Sequence, residues 1–541
     1  MSQQSVVFSV VRALAKASLT PLFATLLALC AVCPAARADA AAAAGSPEAS
    51  PSPPPEVAQL RAKIELAEGQ RLPSERIVTA VVEHGRTKTL TSVRSGKNVR
   101  DTIEDGPFVT ARGTFEGQRW HQNANGMTVL DQPRHGGEAN ERRTVALRHV
   151  TAPIVADVIV DVNPKGDGTK TYVDPATSRI VRVEDVTPTE TTVQTYDDFR
   201  NTAGRTQAWH QHSADGQADD ERDERVVSIA TAGISAADVA IAPPRRALVA
   251  FPSGVTTARL PVQLDGNQQF IVRVTVGSRG LDFLLDTGAS RIVLDRDVAT
   301  SLGLKLYANG SNASNAGRYA QSVALVPEMH VGPLAMKNVA VSVVPSLQFA
   351  SPNAPVRVVG LLGFDFIASL ALSFDYEGAA VTAVDYDSFK APSDPMTVAL
   401  PIRVGDQGPE TDVSIDGRLG ERFKIDTGGA GGVMITDVFT RRYPGITRGF
   451  RSRGGQIRLA GVGGDFAATL YTVPNLRLGP TTFENFSALV IGSDRLYAGG
   501  GFDGVIGPEI LQYFTMTTDY ADSTLYLTPN KLGRKSMKSG S

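Results

Sequence analysis

One short pattern occurs twice in this sequence, and it constrains the fold more than any other feature. FLLDTGAS starts at Phe283 and FKIDTGGA at Phe423; each is an apolar, strand-like run that ends in Asp-Thr-Gly, with Asp286 and Asp426 140 residues apart. The features that follow recur in the same order. Asp297-Val298 is matched by Asp437-Val438, VGPLAMKNVAVSVV with Gly332 by LGPTTFENFSALVI with Gly479, and GLLGFDFIASLALSFDY by GVIGPEILQYFTMTTDY. The last pair aligns Gly363 with Gly507 and Asp375 with Asp519, and every offset lies between 140 and 147. Anchors kept in order at a fixed period mark one supersecondary design used twice. Segments 251–388 and 397–530, joined by FKAPSDP from Phe389, are therefore expected to be two lobes of one plan. Each lobe reads as a strand, the D-T-G loop, a short helix, a glycine-rich hairpin, two strands, and an apolar-apolar-glycine turn into a second helix.

A lone Asp-Thr-Gly carries little information, because an aspartate after a strand commonly just caps a turn. Here each copy is followed by a second glycine motif, Leu361-Leu362-Gly363 lying 77 residues after Asp286 and Val505-Ile506-Gly507 lying 81 after Asp426. With that pairing, residues 251–530, roughly half of the chain, resemble the retropepsin-like and pepsin-like aspartic protease family in a short-lobed, fused form. The resemblance implies a mainly β fold of two pseudo-symmetric lobes and an aspartic endopeptidase that cleaves peptide or protein substrates through a water activated between Asp286 and Asp426. Such chemistry needs two carboxyls in contact, one to take a proton from water while the other gives one to the carbonyl oxygen. Like charges so close cannot both ionise, so the pair holds one proton, and its apparent pKa values belong to the pair.

The resemblance also assigns supporting roles. Thr287 and Thr427 would each bond to the opposite lobe's backbone, and Gly288 and Gly428, lacking Cβ, would let the two loops meet. Gly363 and Gly507 would let the bracing strands approach closely. Two glycine-bearing stretches are candidate substrate flaps: SNAGRYAQSVAL, with Gly317 and Tyr319, and IRLAGVGGDF, with Gly461 and Gly463. Substrate would lie extended between the lobes, adding main-chain bonds to such hairpins. In one respect the chain departs from the pepsin-like pattern, where Ser or Thr follows D-T-G; Ala289 and Gly429 stand there instead. Without that hydroxyl to favour ionisation, a dyad less acidic than in pepsin-like enzymes is expected. No metal or cofactor is called for, and a fused pair of lobes can act as a monomer.

Three other readings deserve comparison. IDTGGAGG is similar to the phosphate loops of actin-like ATPases, but those folds need long helices and this chain has few helix-periodic stretches. An aspartyl-phosphate enzyme would want an acid two residues after the first, where Gly288 and Gly428 stand. The sharper alternative is a peptide- or lipoprotein-binding scaffold that keeps the protease-like fold without cleaving; two retained, mutually repelling acids argue against it.

The remainder of the chain is less specific. Arg12 and Lys16 precede the apolar run LTPLFATLLALCAVC, and Ala36-Arg37-Ala38 offers a small-x-small cleavage site, so residues 1–38 read as an export signal. Its removal would take the formal charge from -2 to -5 and remove both cysteines, Cys30 and Cys33, so that no disulfide could form. A periplasmic or secreted protein without a membrane span follows; lipidation at Cys30 is disfavoured by the bulky Leu29 before it. With 54 basic against 56 acidic residues, no cationic field invites nucleic acid. Residues 39–55 form an Ala/Pro/Ser leader, and a helix is expected over EVAQLRAKIELAEG. From there to 242 short alternating runs predict an antiparallel β-rich domain, whose pattern resembles periplasmic lipoprotein carriers. His210 and His212 lie on one strand face but lack a third metal ligand, and Trp120 and Trp209 read as sheet packing. The basic tail 531–541 reads as unstructured.

Overall fold

The computed structural model describes residues 8–9, 53–131, 143–163, 166–187, 191–215, 221–245, 248–314, 317–345, 356–405, 408–429, 431–461, 464–491 and 502–539. Apart from Phe8–Ser9, a two-residue strand, the expected export signal lies outside them, as does nearly all of the leader. The chain divides into two compact units, and we take each by itself.

The N-terminal unit is a long antiparallel sheet, as its alternating runs predict. From one side its strands run Phe108–Phe115, Asn98–Asp105, Arg86–Ser95, Ser74–Glu83, Arg222–Ala230, Arg205–Ala214, Thr191–Thr202, Ile180–Val186, Gly168–Val173, Ala156–Val162 and Thr144–Val150. Helix Pro55–Glu68 presents Val57, Leu60 and Ile64, spaced for one helical face, to Ile159, Val173, Ile180 and Val183 of this sheet.

The C-terminal unit contains both lobes, and their sheets repeat one topology. In the first, Leu334–Val344, Val293–Asp295, Val358–Leu362, Arg279–Leu285, Phe270–Val276 and Gly317–Val331 are neighbours in that order; in the second, Thr481–Ile491, Val433–Ile435, Gly504–Ile506, Arg418–Ile425, Gly408–Ile415 and Gly464–Leu478 follow the same order, the last pair joined by a further pairing. Between the lobes runs a sheet to which each gives three strands. At its centre Ala371–Asp375 and Phe514–Asp519 pair antiparallel, with Phe374 opposite Met516, both fully buried. A single apolar cluster runs from Leu248 to Leu527 through both lobes, so they share a core.

Two expectations about boundaries change. The segment His121–Gln132, which the sequence reading leaves in the N-terminal domain, belongs by its contacts to the C-terminal unit. Asn125 Nδ2 donates to the Ala340 carbonyl and its Oδ1 accepts from the Ala340 amide, both at 2.8 Å, as a strand edge would, while Met127 and Val129 enter the shared core. Asn123 Nδ2 donates at 2.7 Å to Asp365 Oδ1, whose partner oxygen accepts from the Ile292 amide at 3.2 Å. Asp365 is fully buried, so Asn123→Ala would remove a donor from a buried carboxyl that Asn125 and the Arg291 charge only partly answer; a loss of about 1–3 kcal/mol in unfolding free energy is expected. Urea unfolding followed by Tyr fluorescence checks it.

The chain's end is the second change. Lys531–Ser539, expected to be unstructured, is a helix. Asn530 Oδ1 accepts from the Gly533 amide at 3.0 Å, and Arg534 bonds Asp394 and the Pro529 carbonyl, contacts that composition alone does not reveal.

Candidate active site

Each D-T-G loop leaves the end of a central strand. Arg279–Leu285 and Val358–Leu362 lie parallel, with Leu285 opposite Leu362, and Arg418–Ile425 lies parallel to Gly504–Ile506, with Ile425 opposite Ile506. The bracing strands then hold the loops directly: the Asp286 amide donates to the Leu362 carbonyl at 3.0 Å and the Asp426 amide to Ile506 at 2.9 Å. Gly363 and Gly507 must be glycine here. A Cβ would stand 2.4 Å from the Ala289 and Arg291 carbonyl oxygens at Gly363, and 2.5 Å from the Gly431 oxygen at Gly507.

The two loops lock together through reciprocal bonds. Thr287 Oγ1 donates to the Ile425 carbonyl at 2.7 Å and accepts from the Thr427 amide at 3.0 Å; Thr427 Oγ1 donates to Leu285 at 2.8 Å and accepts from the Thr287 amide at 3.1 Å. All of these groups are buried. Thr427→Val keeps the shape and deletes two bonds, leaving the Leu285 carbonyl and the Thr287 amide unpaired. We expect about 2–4 kcal/mol lower stability, measured by chemical denaturation, because each stranded buried group costs about 1–3 kcal/mol and relaxation recovers part of it.

Across this lock the two carboxyls meet, each seated against the opposite loop's glycine. A Cβ on Gly288 would lie 2.6 Å from Asp426 Cγ, and one on Gly428 would lie 2.3 Å from Asp286 Cγ. Asp286 is fully buried and Asp426 is 3% exposed. Asp426 Oδ1 accepts from the Gly428 and Gly429 amides at 2.9 and 2.8 Å; Asp286 Oδ1 accepts from the Gly288 amide at 2.8 Å, and no fixed donor reaches its Oδ2. Burial pushes the Asp286 carboxyl well above the usual carboxylate range, and the facing Asp426 pushes it further. Burial also raises Asp426, against the opposing pull of the Gly429 and Gly428 amides, Asp286 and the Lys424 cation. Such a pair can hold one proton and polarise a water and a carbonyl between its members.

The candidate flap residues fall on matching hairpins. Gly317 and Tyr319 lie on Gly317–Val331, where Tyr319 pairs with Asn312 of Leu306–Ser314; Gly461 ends Arg451–Gly461 and pairs with Gly464. Gly463 lies outside the described residues.

Sequence reasoning missed several groups at this site. Gln269 is buried and its amide donates to the Gly428 carbonyl, tying the first lobe to the second loop. Gly408, with a left-handed φ of 94°, is packed on the Thr287 carbonyl, 2.3 Å from where a Cβ would be. Tyr376 and Tyr520 end equivalent central strands as buried phenols, held up chiefly by burial and further by Asp426 at Tyr376, and by Tyr386 and Asp286 at Tyr520. The repeated Asp-Tyr of SFDY and TTDY was the available signal for that pair.

The N-terminal unit has its own cavity of about 260 Å³, lined by apolar side chains such as Ile77, Leu90 and Trp209 and by charged ones, among them the Glu75–Arg205 ion pair at 2.8 Å. Trp209 is therefore a cavity wall, with the Arg200 guanidinium 4.4 Å from its ring centroid, and not sheet packing alone. His210 bonds Asp197 and Asp223, both at 2.7 Å, so it is an ion-pairing histidine whose charged form is favoured chiefly by Asp223. Among the described residues no His/Cys/Asp/Glu group has the arrangement to hold a metal ion, and no helix is long and apolar enough to cross a membrane.

Comparison with known proteins agrees with the repeat. Residues 272–366 and 411–510 each match the aspartyl protease family profile. Among solved structures, an aspartic proteinase from Irpex lacteus is similar at 16% identity, covering 51% of this chain and 98% of its own, with a TM-score of 0.34. A retropepsin-like aspartic protease from Rickettsia conorii is similar at 18% identity over 24% of this chain and 90% of its own, with a TM-score of 0.19. A LolA superfamily protein from Nitrosomonas europaea matches at 10% identity over 34% of this chain and 96% of its own, with a TM-score of 0.26. No curated protein matches this chain in sequence.

Proposed function

We propose, from the premise that two stretches of this chain carry the aspartyl protease profile, that the C-terminal unit is an aspartic endopeptidase with Asp286 and Asp426 as its catalytic pair. The observation that carries this reading is the pair of buried carboxyls, each seated against the other loop's glycine behind the reciprocal threonine bonds. With one proton between them, the ionised member takes a proton from water as the water oxygen bonds to the peptide carbonyl carbon. The protonated member gives its proton to the carbonyl oxygen. Collapse of the resulting diol breaks the C–N bond, with one proton passing to the leaving nitrogen and the other returning to the dyad. The hairpins bearing Tyr319 and Gly461 would cover an extended peptide, and an export signal over residues 1–38, as the sequence leads one to expect, would place this activity in the periplasm or outside the cell.

Activity in this scheme requires the singly protonated pair. It is lost at low pH when the base takes up a second proton, and at high pH when the shared proton leaves. Because burial raises both carboxyls, each limb is displaced upward, and a mildly acidic optimum is expected. The kcat/KM profile on a peptide library tests this: a bell centred at about pH 4–6 supports it, and a maximum at about pH 2 contradicts it.

A second reading concerns the N-terminal unit alone. Its cavity, lined by both apolar and charged side chains, suits an apolar ligand with a polar end, such as a lipid-bearing peptide, so this unit would bind while the lobes cleave. Displacement of a fluorescent fatty-acid probe, and its loss in Trp209→Asp, would test it.

A further inference from the structure

We propose that Lys424 biases which acid is the base: its ammonium group favours Asp426 as the carboxylate, and the shared proton rests on Asp286. This rests on the aspartic-protease reading and adds an assignment that the pseudo-symmetry of the site leaves open.

The two lobes differ at one telling position. Leu284 and Lys424 each stand two residues before the loop aspartate, on strands with corresponding partners. Leu284 pairs with Ile271 and Leu361, whereas Lys424 pairs with Glu410 and Val505. In the first lobe this side is an apolar cluster of Leu284, Ile271, Ala289, Val293 and Leu361. In the second lobe the leucine is replaced by a lysine that is only 4% exposed, its Nζ 4.4 Å from the Phe502 ring centroid. A buried ammonium is costly unless negative charge answers it.

Of the acids on and beside the strands around Lys424, three are matched to arginines, Asp412 with Arg403 at 2.8 Å among them. Glu410, directly opposite, accepts both Nε and Nη2 of Arg422 at 2.7 and 2.8 Å. Asp503 accepts from Arg442 at 2.9 Å and from the Glu421 and Arg422 amides at 2.9 and 3.3 Å. Toward the loop stands the dyad, and Asp426 is the member that the Lys424 charge pulls down. Tyr376 and Tyr520, the remaining titratable groups facing the pair, are neutral phenols.

Fixed amides serve both acids. Asp426 Oδ1 accepts from Gly428 and Gly429 at 2.9 and 2.8 Å, and Asp286 feels the Gly288 and Ala289 amides, with Gly288 2.8 Å from its Oδ1, while its Oδ2 accepts no hydrogen bond. The cation is what the second lobe adds: it stabilises the charged form of Asp426 and leaves the proton to Asp286, whose Oδ2 is the unbonded oxygen. Asp426 then takes the proton from water, and Asp286 protonates the carbonyl oxygen; in the second step Asp426 passes its proton to the leaving nitrogen, and a diol hydroxyl returns one to Asp286.

The test does not depend on turnover. In full-length Asp286→Asn protein, Asp426 is titrated by carboxyl carbon-13 NMR, assigned by its loss in the double Asn variant. Adding Lys424→Leu, which installs the first lobe's residue, is expected to raise the Asp426 midpoint by about one pH unit, whereas Lys424→Arg leaves it in place. Should Lys424→Leu not fold, Lys424→Met serves the same purpose. An unchanged midpoint in the neutral variant overturns the assignment. In the otherwise intact enzyme, Lys424→Leu should move the acidic limb of kcat/KM upward by the same amount and Lys424→Arg should not. An active Lys424→Leu enzyme with the parent's acidic limb counts against Lys424 alone, whereas silence of the parent at every pH counts against the protease reading and leaves the NMR result to decide the Lys424 assignment.

Discussion

Asp286→Asn and Asp426→Asn are each expected to lower peptide cleavage by about 10³-fold or more, since each removes a proton-transfer group whose contribution is of order 10²–10⁴ and breaks the shared-proton state as well. The accompanying change in stability is what separates this from simple damage. Both carboxyls are buried and have raised pKa values, so their ionisation is disfavoured in the folded state. A group raised on folding contributes its stability below its unfolded pKa and loses it as pH rises through the folded value, so at neutral pH the charged dyad opposes folding. Asparagine carries no such charge. The Asn variants should therefore melt at or above the parent's temperature at pH 7 while being inactive, a combination that a merely structural aspartate would not give.

Gly428→Ala is the other large effect. The new methyl would sit 2.3 Å from Asp286 Cγ and 2.6 Å from both of its oxygens. Neither Asp286 nor the loop can retreat freely, because the Thr287 and Thr427 bonds and the two bracing strands fix both ends. The carboxyls must separate, and a displacement of about 1 Å between reacting groups costs about 10²-fold in rate. Activity should fall by at least that factor, with thermal stability lowered as well. Gly288→Ala, with its contact at 2.6 Å to Asp426 Cγ, should behave alike, and near-parental activity in both would mean that the carboxyls do not work as a contact pair.

Much of this site could be read from the sequence because the duplication supplies its own control. The same residues at the same offsets in two contexts separate design from chance, and they place Asp286, Thr287, Gly288, Gly363 and their second-lobe counterparts on one motif. Other features carry no local signal. Asn123 and Asn125 sit in NANG, which reads as an ordinary turn; their meaning lies in Asp365 and Ala340, more than 200 residues away. The tail's basic residues read as solvated until Arg534 meets Asp394. Lys424 is written openly in FKIDTGGA, yet a lysine in a strand usually marks an exposed face, and only the burial of its whole side chain turns it into an electrostatic element.

Incubating the wild-type chain with a mixed peptide library between about pH 3 and pH 7, with and without a pepstatin-type inhibitor, and reading new termini by mass spectrometry tests the paired carboxyls most directly. The expected result is internal peptide-bond cleavage that is strongest at mildly acidic pH, is suppressed by the inhibitor and is absent in both Asn variants. Silence at every pH, or cleavage that persists unchanged when Asp286 and Asp426 are both replaced, would contradict it.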